Sequence, residues 1–164
     1  MNRTGDITER IKMPGQSLQF IDLGLSVKWA ACNIGATKPE EYGDYIAWDE
    51  IETKFTGEFH IPTAEQLKEL RYRCRWEWAK INNVAGYKVY SKADVLTDHF
   101  IFLPAAGYID NDMPSGVGSF GAYWSNSLVK DYPKGAYYLY FNSEAYGITD
   151  YYRRCKQSIR LVIN

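Results

Sequence analysis

The sequence predicts an α+β domain of small antiparallel sheets with one or two helices, and three observations lead to that prediction. Runs in which apolar and polar residues alternate recur along the chain, as strands with one buried face require. A single segment carries the capping residue and the apolar spacing of a helix. The chain has 164 residues, of which 46% are hydrophobic and 24% are charged, and one globular domain accounts for that length and composition.

The N-terminal segment carries no sustained apolar period of either kind. Pro14 and Gly15 lie in it, and both residue types interrupt helices and strands. We therefore expect a flexible tail or linker over residues 1–17 and a single domain over residues 18–164.

The first strands of the domain are indicated by alternation. Leu25, Val27 and Trp29 alternate with polar residues, which is the period of a half-buried strand. This pattern predicts a strand and a short hairpin through Gly24. Residues 42–48 begin with turn-forming residues and are aromatic, so we expect irregular structure that ends in a brief strand.

One helix is predicted over residues 62–73. Thr63 is a favoured N-cap residue, and Gln66 falls in the first turn. Leu67 and Leu70 have the three-residue spacing of one helix face. We expect this face to pack on a sheet.

A hairpin and a buried strand are predicted after the helix. Residues 75–79 and 86–90 flank Asn82 and Asn83, which favour a tight turn. Residues 100–104 are uniformly apolar until the proline, so we expect a buried central strand there.

The C-terminal part begins with a predicted loop. Residues 108–121 are rich in glycine, aspartate and asparagine, so we expect no regular element in them. Farther along, Leu139 and Phe141 share one face of a predicted strand, and residues 158–163 are predicted to form the terminal strand.

Charge and hydropathy pattern exclude two classes of partner. Nineteen basic and twenty acidic residues give a net charge of -1, which leaves no field for gathering nucleic acid. No apolar run reaches the ~18–20 residues that cross a bilayer, so we expect no membrane insertion. The N-terminus is too polar for a signal peptide.

No cofactor is expected. Three cysteines without a Cys-x-x-Cys spacing exclude a disulfide framework and disfavour zinc. Buried free thiols and a single Cys32–Cys74 bridge are the alternatives for the cysteines. Asp110 and Asp112 offer oxygen ligands for calcium, and a simple turn is the competing interpretation.

The aromatic content is the main functional signal. Aromatic residues make up 16% of the chain, and of fourteen tyrosines eight lie between residues 123 and 152. Tyrosine offers contact area at low entropic cost and a hydroxyl for hydrogen bonding. Alternation predicts that Tyr123 and Tyr137 are packed. The expected exposed set is Tyr138, Tyr140, Tyr146, Tyr151 and Tyr152.

Motifs along the chain resemble those of a known family. In order, they read DLGLSVKWA at residues 22–30, IPTAE at 61–65, FLPAAGY at 102–108, AYWSNS at 122–127 and QSIRLV at 157–162. They resemble the motifs of the Fibrobacter succinogenes major paralogous domain family of Bacteroidetes, and the resemblance covers roughly residues 20–164.

This resemblance implies a C-type-lectin-like fold, in the branch that contains formylglycine-generating enzymes and variable proteins diversified by retroelements. In that fold the first and last strands pair, so residues 20–25 and 159–163 would be partners. Loops on one side of a small sheet would form the binding surface, and family relatives often sit at the cell surface. Most of residues 143–155 belong to the set that adenine-directed diversification produces.

We expect a non-enzymatic module that binds a protein or glycan ligand through a tyrosine-rich surface. The predicted ligand-binding residues are Tyr138, Tyr140, Asn142, Tyr146, Asp150, Tyr151, Tyr152 and Arg153. Arg153 and Arg154 either contact anionic groups or are solvated. The alternative functions are a degenerate formylglycine-generating oxidoreductase and a structural domain of a surface or phage fibre. The enzymes use a cysteine pair near the closing motif, where this chain has only Cys155.

Overall fold

The computed structural model describes residues 10–13, 16–51 and 58–164. In chain order the strands are β1 (Arg10–Met13), β2 (Gln16–Ile21), β3 (Lys28–Ala30), β4 (Ile46–Ala47), β5 (Phe59–His60), β6 (Cys74–Ile81), β7 (Val84–Ser91), β8 (Phe100–Pro104), β9 (Tyr108–Asp110), β10 (Met113–Ser115), β11 (Gly121–Val129), β12 (Tyr132–Phe141), β13 (Tyr146–Tyr152), β14 (Lys156–Gln157) and β15 (Val162–Ile163). The helix α1 (Ala64–Arg73) lies between β5 and β6.

The fold is α+β with small antiparallel sheets and one helix, which confirms the predicted class. Among the described residues the sheets have the strand orders β1-β2-β3-β15-β5, β10-β9-β14-β4, β11-β12-β13 and β6-β7-β8. The brief strand predicted at the end of residues 42–48 is β4. In the described part of the chain, no helix is both long and apolar enough to cross a membrane.

The predicted tail over residues 1–17 lies in part outside the described residues, which omit 1–9 and 14–15. Within it, β1 pairs with β2 so that Arg10 lies opposite Gln19. Regular structure therefore starts before the predicted boundary at residue 18. A four-residue strand is too short to reveal its period in the sequence.

The two ends of the described chain meet in the five-stranded sheet, but not as direct partners. β15 lies between β3 and β5, with Val162 opposite both Trp29 and His60. β2 pairs with β3, as the predicted hairpin requires, so the expected pairing of residues 20–25 with 159–163 is wrong. The chain turns at Gly24 (φ +74°) and returns as β3, which takes the place beside β15.

The predicted helix is confirmed. Thr63 accepts a hydrogen bond from the backbone N–H of Gln66, whose side chain accepts one from the N–H of Thr63, and together these form a capping box. Leu67 and Leu70 are buried on the face that meets the sheets. The helix is thus fixed at its start by capping and along its length by burial.

The predicted hairpin after the helix is also confirmed. β6 and β7 pair along their full lengths, and Asn82 (φ +47°) and Asn83 (φ +69°) form the turn. β8 is buried as predicted, but among the described strands it pairs with β7 alone and so lies at the edge of its sheet. A uniformly apolar strand sequence indicates that both faces of the strand are buried, but it does not indicate whether one or two neighbouring strands pair with it.

The segment 108–121 contains a hairpin where no regular element was expected. β9 and β10 pair antiparallel, and the turn between them is made by Asn111 (φ +50°) and Asp112 (φ +62°). Asparagine and aspartate tolerate the left-handed region, so this pair can close a tight hairpin without glycine. The prediction took these residues only as strand breakers.

The sheet β11-β12-β13 lies between two parts of the core. On one side, Trp124 and Tyr138 pack with residues that include Ile46 and Ile159. On the other side, Leu139 packs with the buried leucines of α1. Core residues therefore cover part of each face of this sheet, and the extent of that cover decides which tyrosines reach the surface.

Candidate functional site

Six aromatic rings form a connected surface beside the last strands. We call this surface the tyrosine face, and its members are Tyr108, Phe120, Tyr138, Tyr140, Tyr151 and Tyr152. Neighbouring ring centroids lie 5.5 to 6.5 Å apart from Phe120 through Tyr140, Tyr138 and Tyr151 to Tyr152, and Tyr108 lies 5.8 Å from Phe120 and 6.0 Å from Tyr151. These separations are typical of interacting aromatic pairs.

Strand register brings the rings together. Tyr138 and Tyr140 are alternate residues of β12, and Ala136, the preceding residue on that face, pairs with Tyr151 of β13. Opposite residues of an antiparallel pair share a face, so all three rings project to one side. Gly147 faces Tyr140, and a Cβ on it would come within 3.0 Å of the Tyr140 hydroxyl oxygen.

Tyr138 is not exposed, which corrects the prediction. Its side chain is only 9% exposed and contacts Trp124 edge-on at 6.0 Å. Burial, with smaller effects from Cys155 and the neighbouring tyrosines, raises the pKa of Tyr138 to about 12. The alternation argument assumed that one face of the strand is solvated, whereas the core covers both.

Tyr123 and Tyr137 were both predicted to be packed, and they differ in burial. Tyr123 is buried as predicted, and its hydroxyl donates to the carbonyl of Pro104. Tyr137 is only half-buried, and it pairs with Asp150, which is exposed. The expectation that Tyr137 is packed therefore holds only in part.

Asp110, which is itself close to Arg154, holds the Tyr151 ring in position at the edge of the tyrosine face. Its hydroxyl donates to Asp110 Oδ2 at 3.2 Å, and Asp110 Oδ1 lies 3.5 Å from Arg154 Nε. Burial and this hydrogen bond to a carboxylate raise the pKa of Tyr151 to about 12. The tyrosine therefore stays neutral and acts as a hydrogen-bond donor near neutral pH.

Asp110 and Asp112, the candidate calcium ligands, have other roles in the structure. Asp112 lies in the turn between β9 and β10, and Asp110 contacts Tyr151 and Arg154. Among the described residues, no group of three or more metal-ligating side chains is placed to hold an ion.

Tyr146 lies away from the tyrosine face. It pairs with Phe141 in the register, and its ring stacks on Trp76 with a centroid distance of 4.3 Å and an interplanar angle of 6°. Arg71 of α1 donates to the Tyr146 carbonyl at 2.9 Å. This ring therefore belongs to the packing between α1, β6 and β13.

Two other predicted site residues also lie apart from the tyrosine face. Asn142 Oδ1 accepts hydrogen bonds from the backbone N–H groups of Glu144 and Ala145, so its side chain shapes the turn between β12 and β13. Asp150 is exposed and lies on the side of β13 opposite to Tyr151. Tyr152 alternates to the same side as Asp150, but at the end of β13 its ring comes within 5.5 Å of the Tyr151 ring.

A groove borders the tyrosine face at Tyr152. It has a volume of about 450 Å³, and we call it the cationic groove; its lining residues are Asp49, Pro133, Lys134, Tyr152, Arg153 and Arg154. Arg153 forms an ion pair with Asp49, donates to the Pro133 carbonyl at 2.8 Å and lies 4.8 Å above the Trp48 ring. Arg154 lies 4.9 Å above the Tyr152 ring.

The structure therefore brings together Tyr138, Tyr140, Tyr151, Tyr152 and Arg153 from the predicted set, and separates Tyr146, Asn142 and Asp150 from them. Sequence reasoning missed Tyr108 and Phe120 in the tyrosine face and Asp49, Pro133 and Lys134 in the groove, and it considered Asp110 only as a calcium ligand or a turn residue. Tyr108 and Asp110 lie on β9, the strand that was interpreted as a loop. Aromatic residues flanking the apolar 100–107 segment were the available signal for Tyr108.

The three cysteines are free thiols, so the Cys32–Cys74 bridge is not formed. Cys155 is fully buried and packs in the same cluster as Tyr138. Burial raises the pKa of the Cys155 thiol to about 12. A thiol with this pKa carries almost no thiolate near neutral pH and is a poor nucleophile.

Comparison with known proteins gives one family. The family described as "Domain of unknown function (DUF8237)" matches residues 76–162. That range starts in β6 and contains the whole tyrosine face and every lining residue of the cationic groove except Asp49. No curated protein and no solved structure matches the chain.

Proposed function

The chain belongs to the DUF8237 family, and we propose that it is a non-enzymatic module that binds a protein or glycan ligand through the tyrosine face. The observation that carries this proposal is the connected set of rings, of which all but Tyr138 are partly or fully exposed. Aromatic residues with hydroxyl groups are enriched in binding surfaces because they combine apolar area with hydrogen bonding.

The tyrosine face is rigidly supported. Tyr138 is buried at its centre, where it touches both Tyr140 and Tyr151, and Tyr151 is held by Asp110. Rings that are already ordered lose little conformational freedom when a ligand docks. Contacts between the exposed rings and a ligand are therefore offset by only a small loss of conformational entropy.

A C-type-lectin-like architecture is the finer part of the proposal. Three features support it: the strands near both ends of the described chain share one sheet, one helix packs on the sheets, and the aromatic surface lies at one side. The resemblance to the Fibrobacter succinogenes family belongs to the same proposal, as do recognition at a cell surface and diversification of residues 143–155. A near-copy of the coding segment that differs only at adenines, beside a reverse transcriptase gene, would support diversification.

The thiol chemistry argues against the oxidoreductase alternative. Such an enzyme needs an accessible thiolate, and Cys155 is buried with a raised pKa. In the described ranges Cys155 is unpaired, and Cys32 and Cys74 belong to other parts of the fold, before β4 and at the start of β6.

The proposal is tested by removing two rings at opposite ends of the tyrosine face. Protein and glycan arrays are probed with the wild type and with the Tyr140→Ala, Tyr152→Ala double variant. We expect the double variant to lose at least about tenfold in affinity for the wild-type ligands, the loss produced when one binding hot spot is truncated. Equal binding by both proteins would remove the proposal.

A matched control separates recognition from general loss of aromatic surface. Tyr90 lies outside the tyrosine face, where its ring contacts Phe100 and Arg75. Tyr90→Ala should bind the array ligands like the wild type.

Light scattering of all three proteins addresses the fibre alternative, because rings that are buried between subunits would make the wild type oligomeric and the double variant monomeric.

A further inference from the structure

We propose that the cationic groove binds the carboxylate of a uronic acid residue in a glycan, next to the tyrosine face. This inference rests on the proposed function, because it names the chemical class of ligand that the same surface takes. Its basis is the combination of a ligand-sized groove, cations with free donor nitrogens and an aromatic wall at one place.

The groove has the size and composition of a small-molecule subsite. Its volume of about 450 Å³ lies within the range of roughly 300–1,000 Å³ that is usual for ligand pockets. Tyr152 lines this groove and its ring lies 5.5 Å from that of Tyr151, so the groove borders the tyrosine face at Tyr152.

The charge in the groove is positive. Lys134, Arg153 and Arg154 line it together with one carboxylate, Asp49. Arg153 neutralises Asp49 and uses its other terminal nitrogen on the Pro133 carbonyl, so it serves as part of the wall. Two cations, Lys134 and Arg154, remain for a ligand.

Both of these side chains have N–H groups that can donate hydrogen bonds to a ligand. Among the described residues, Lys134 Nζ makes no ion pair or hydrogen bond, and Arg154 is held only through Nε, at 3.5 Å from Asp110, and through its position over the Tyr152 ring. Both terminal nitrogens of Arg154 are therefore available. Guanidinium and ammonium groups bind carboxylates through short, charge-assisted hydrogen bonds.

The acid in the groove favours a sugar over an acidic peptide. Arg153 engages only Oδ1 of Asp49, so Oδ2 of Asp49 can accept a hydrogen bond from a sugar hydroxyl. Lys134 and Arg154 together match one carboxylate and not the run of carboxylates of an acidic peptide. The acids nearby, Asp131 and Asp150, are exposed and do not line the groove, and Asp110 is paired with Arg154. A single carboxylate among hydroxyl groups therefore matches the groove.

The test is a calorimetric titration of the full chain with three probes. They are an oligosaccharide of glucuronic acid, the same oligosaccharide with its carboxyl groups reduced to alcohols, and a polyglutamate peptide. We expect the wild type to bind the first probe, to bind the reduced form at least about tenfold more weakly, and to bind polyglutamate weakly. Added salt should weaken binding of the first probe.

Variants of groove residues test whether the glucuronic acid probe binds in the groove. Lys134→Gln and Arg154→Gln should each weaken binding of the glucuronic acid probe by about tenfold, as expected for loss of a charge-assisted hydrogen bond. Lys130→Gln is the matched control, because Lys130 is an exposed lysine at the end of β11 that does not line the groove. It should bind like the wild type, and unchanged thermal melting should show that all three variants are folded.

Three outcomes would overturn the inference. They are absence of binding to the glucuronic acid probe, equal affinity for its reduced form, and preference for polyglutamate. The proposed function is judged separately through Tyr140, which belongs to the tyrosine face but not to the groove. If an array ligand depends on Tyr140 but not on Lys134 or Arg154, the proposed function stands and the uronic acid inference fails.

Discussion

Tyr151 donates its phenolic hydroxyl to Asp110 Oδ2 at 3.2 Å, and this hydrogen bond links β13 to the hairpin of β9 and β10. The two residues are 41 positions apart and lie in different sheets. The contact places Tyr108, two residues before Asp110 on β9, with its ring 6.0 Å from the Tyr151 ring. The tyrosine face is therefore assembled by tertiary contacts between sheets.

Removing that hydroxyl should cost stability without removing the ring. Tyr151→Phe leaves Asp110 Oδ2 without its donor, so we expect the free energy of unfolding to fall by about 1 kcal/mol. Urea denaturation measures the change. Tyr137→Phe is the control, because the Tyr137 hydroxyl makes no hydrogen bond to a described residue, and its stability should be unchanged. Equal stability of Tyr151→Phe and wild type would contradict the role of this contact.

Arg160 should be the most sensitive polar residue of the core. Its buried guanidinium donates to Asn33 Oδ1 at 2.9 Å and to the carbonyls of Ala30 at 3.1 Å and Phe102 at 2.6 Å. Arg160→Met removes three charge-assisted hydrogen bonds from the buried core, and the loss of a buried partner costs about 1–3 kcal/mol. We expect a loss of at least about 3 kcal/mol in chemical denaturation.

An exposed arginine provides the comparison. The side chain of Arg73 is 67% exposed and forms one long ion pair with Glu69, at 3.7 Å. Such pairs contribute little, so Arg73→Met should change the free energy of unfolding by less than about 1 kcal/mol. A similar loss for both arginine variants would show that the buried hydrogen bonds of Arg160 do not dominate.

Gly121 should be intolerant of any side chain. A Cβ at this position would overlap the ring of Phe141, which is itself buried. We expect Gly121→Ala to destabilise the protein by about 1–3 kcal/mol through overpacking. In a Phe141→Leu background the same substitution should cost less, because the ring is gone, and equal costs in the two backgrounds would exclude this steric cause.

Stability should fall at alkaline pH. Burial raises the pKa values of Tyr123 and Tyr138 from 10.0 to about 12, so the folded state holds protons that the unfolded state releases. The stabilisation is therefore complete below about pH 10 and is lost as the pH rises from about 10 to 12. Urea denaturation at a series of pH values should show this decline. Constant stability across that window would mean that these hydroxyls have the same pKa in the folded and unfolded states, which would contradict the effect of burial.

The helix and the asparagine hairpin could be predicted because their signals are local. Thr63 and Gln66 lie three residues apart, and Asn82 and Asn83 supply the backbone angles of their own turn. In both cases the interaction that fixes the element lies within a few residues of chain.

The exposure of individual tyrosines could not be predicted in the same way. Alternation along β12 separates Tyr138 from Leu139, but it cannot report that the core covers both faces. The ring on which Tyr146 stacks, away from the tyrosine face, is that of Trp76, which lies 70 positions earlier in the chain and in another sheet. Contacts of this range depend on how the sheets pack, which periodicity does not encode.

The central claim is most directly tested by mapping where a ligand docks. Backbone amide shifts of the protein are recorded by NMR with and without a ligand selected on the arrays. Binding at the tyrosine face predicts that the largest shifts fall in β9, β12 and β13, around Asp110, Tyr140 and Tyr152. Shifts concentrated instead in β6 and β7, around Tyr90, would contradict the account.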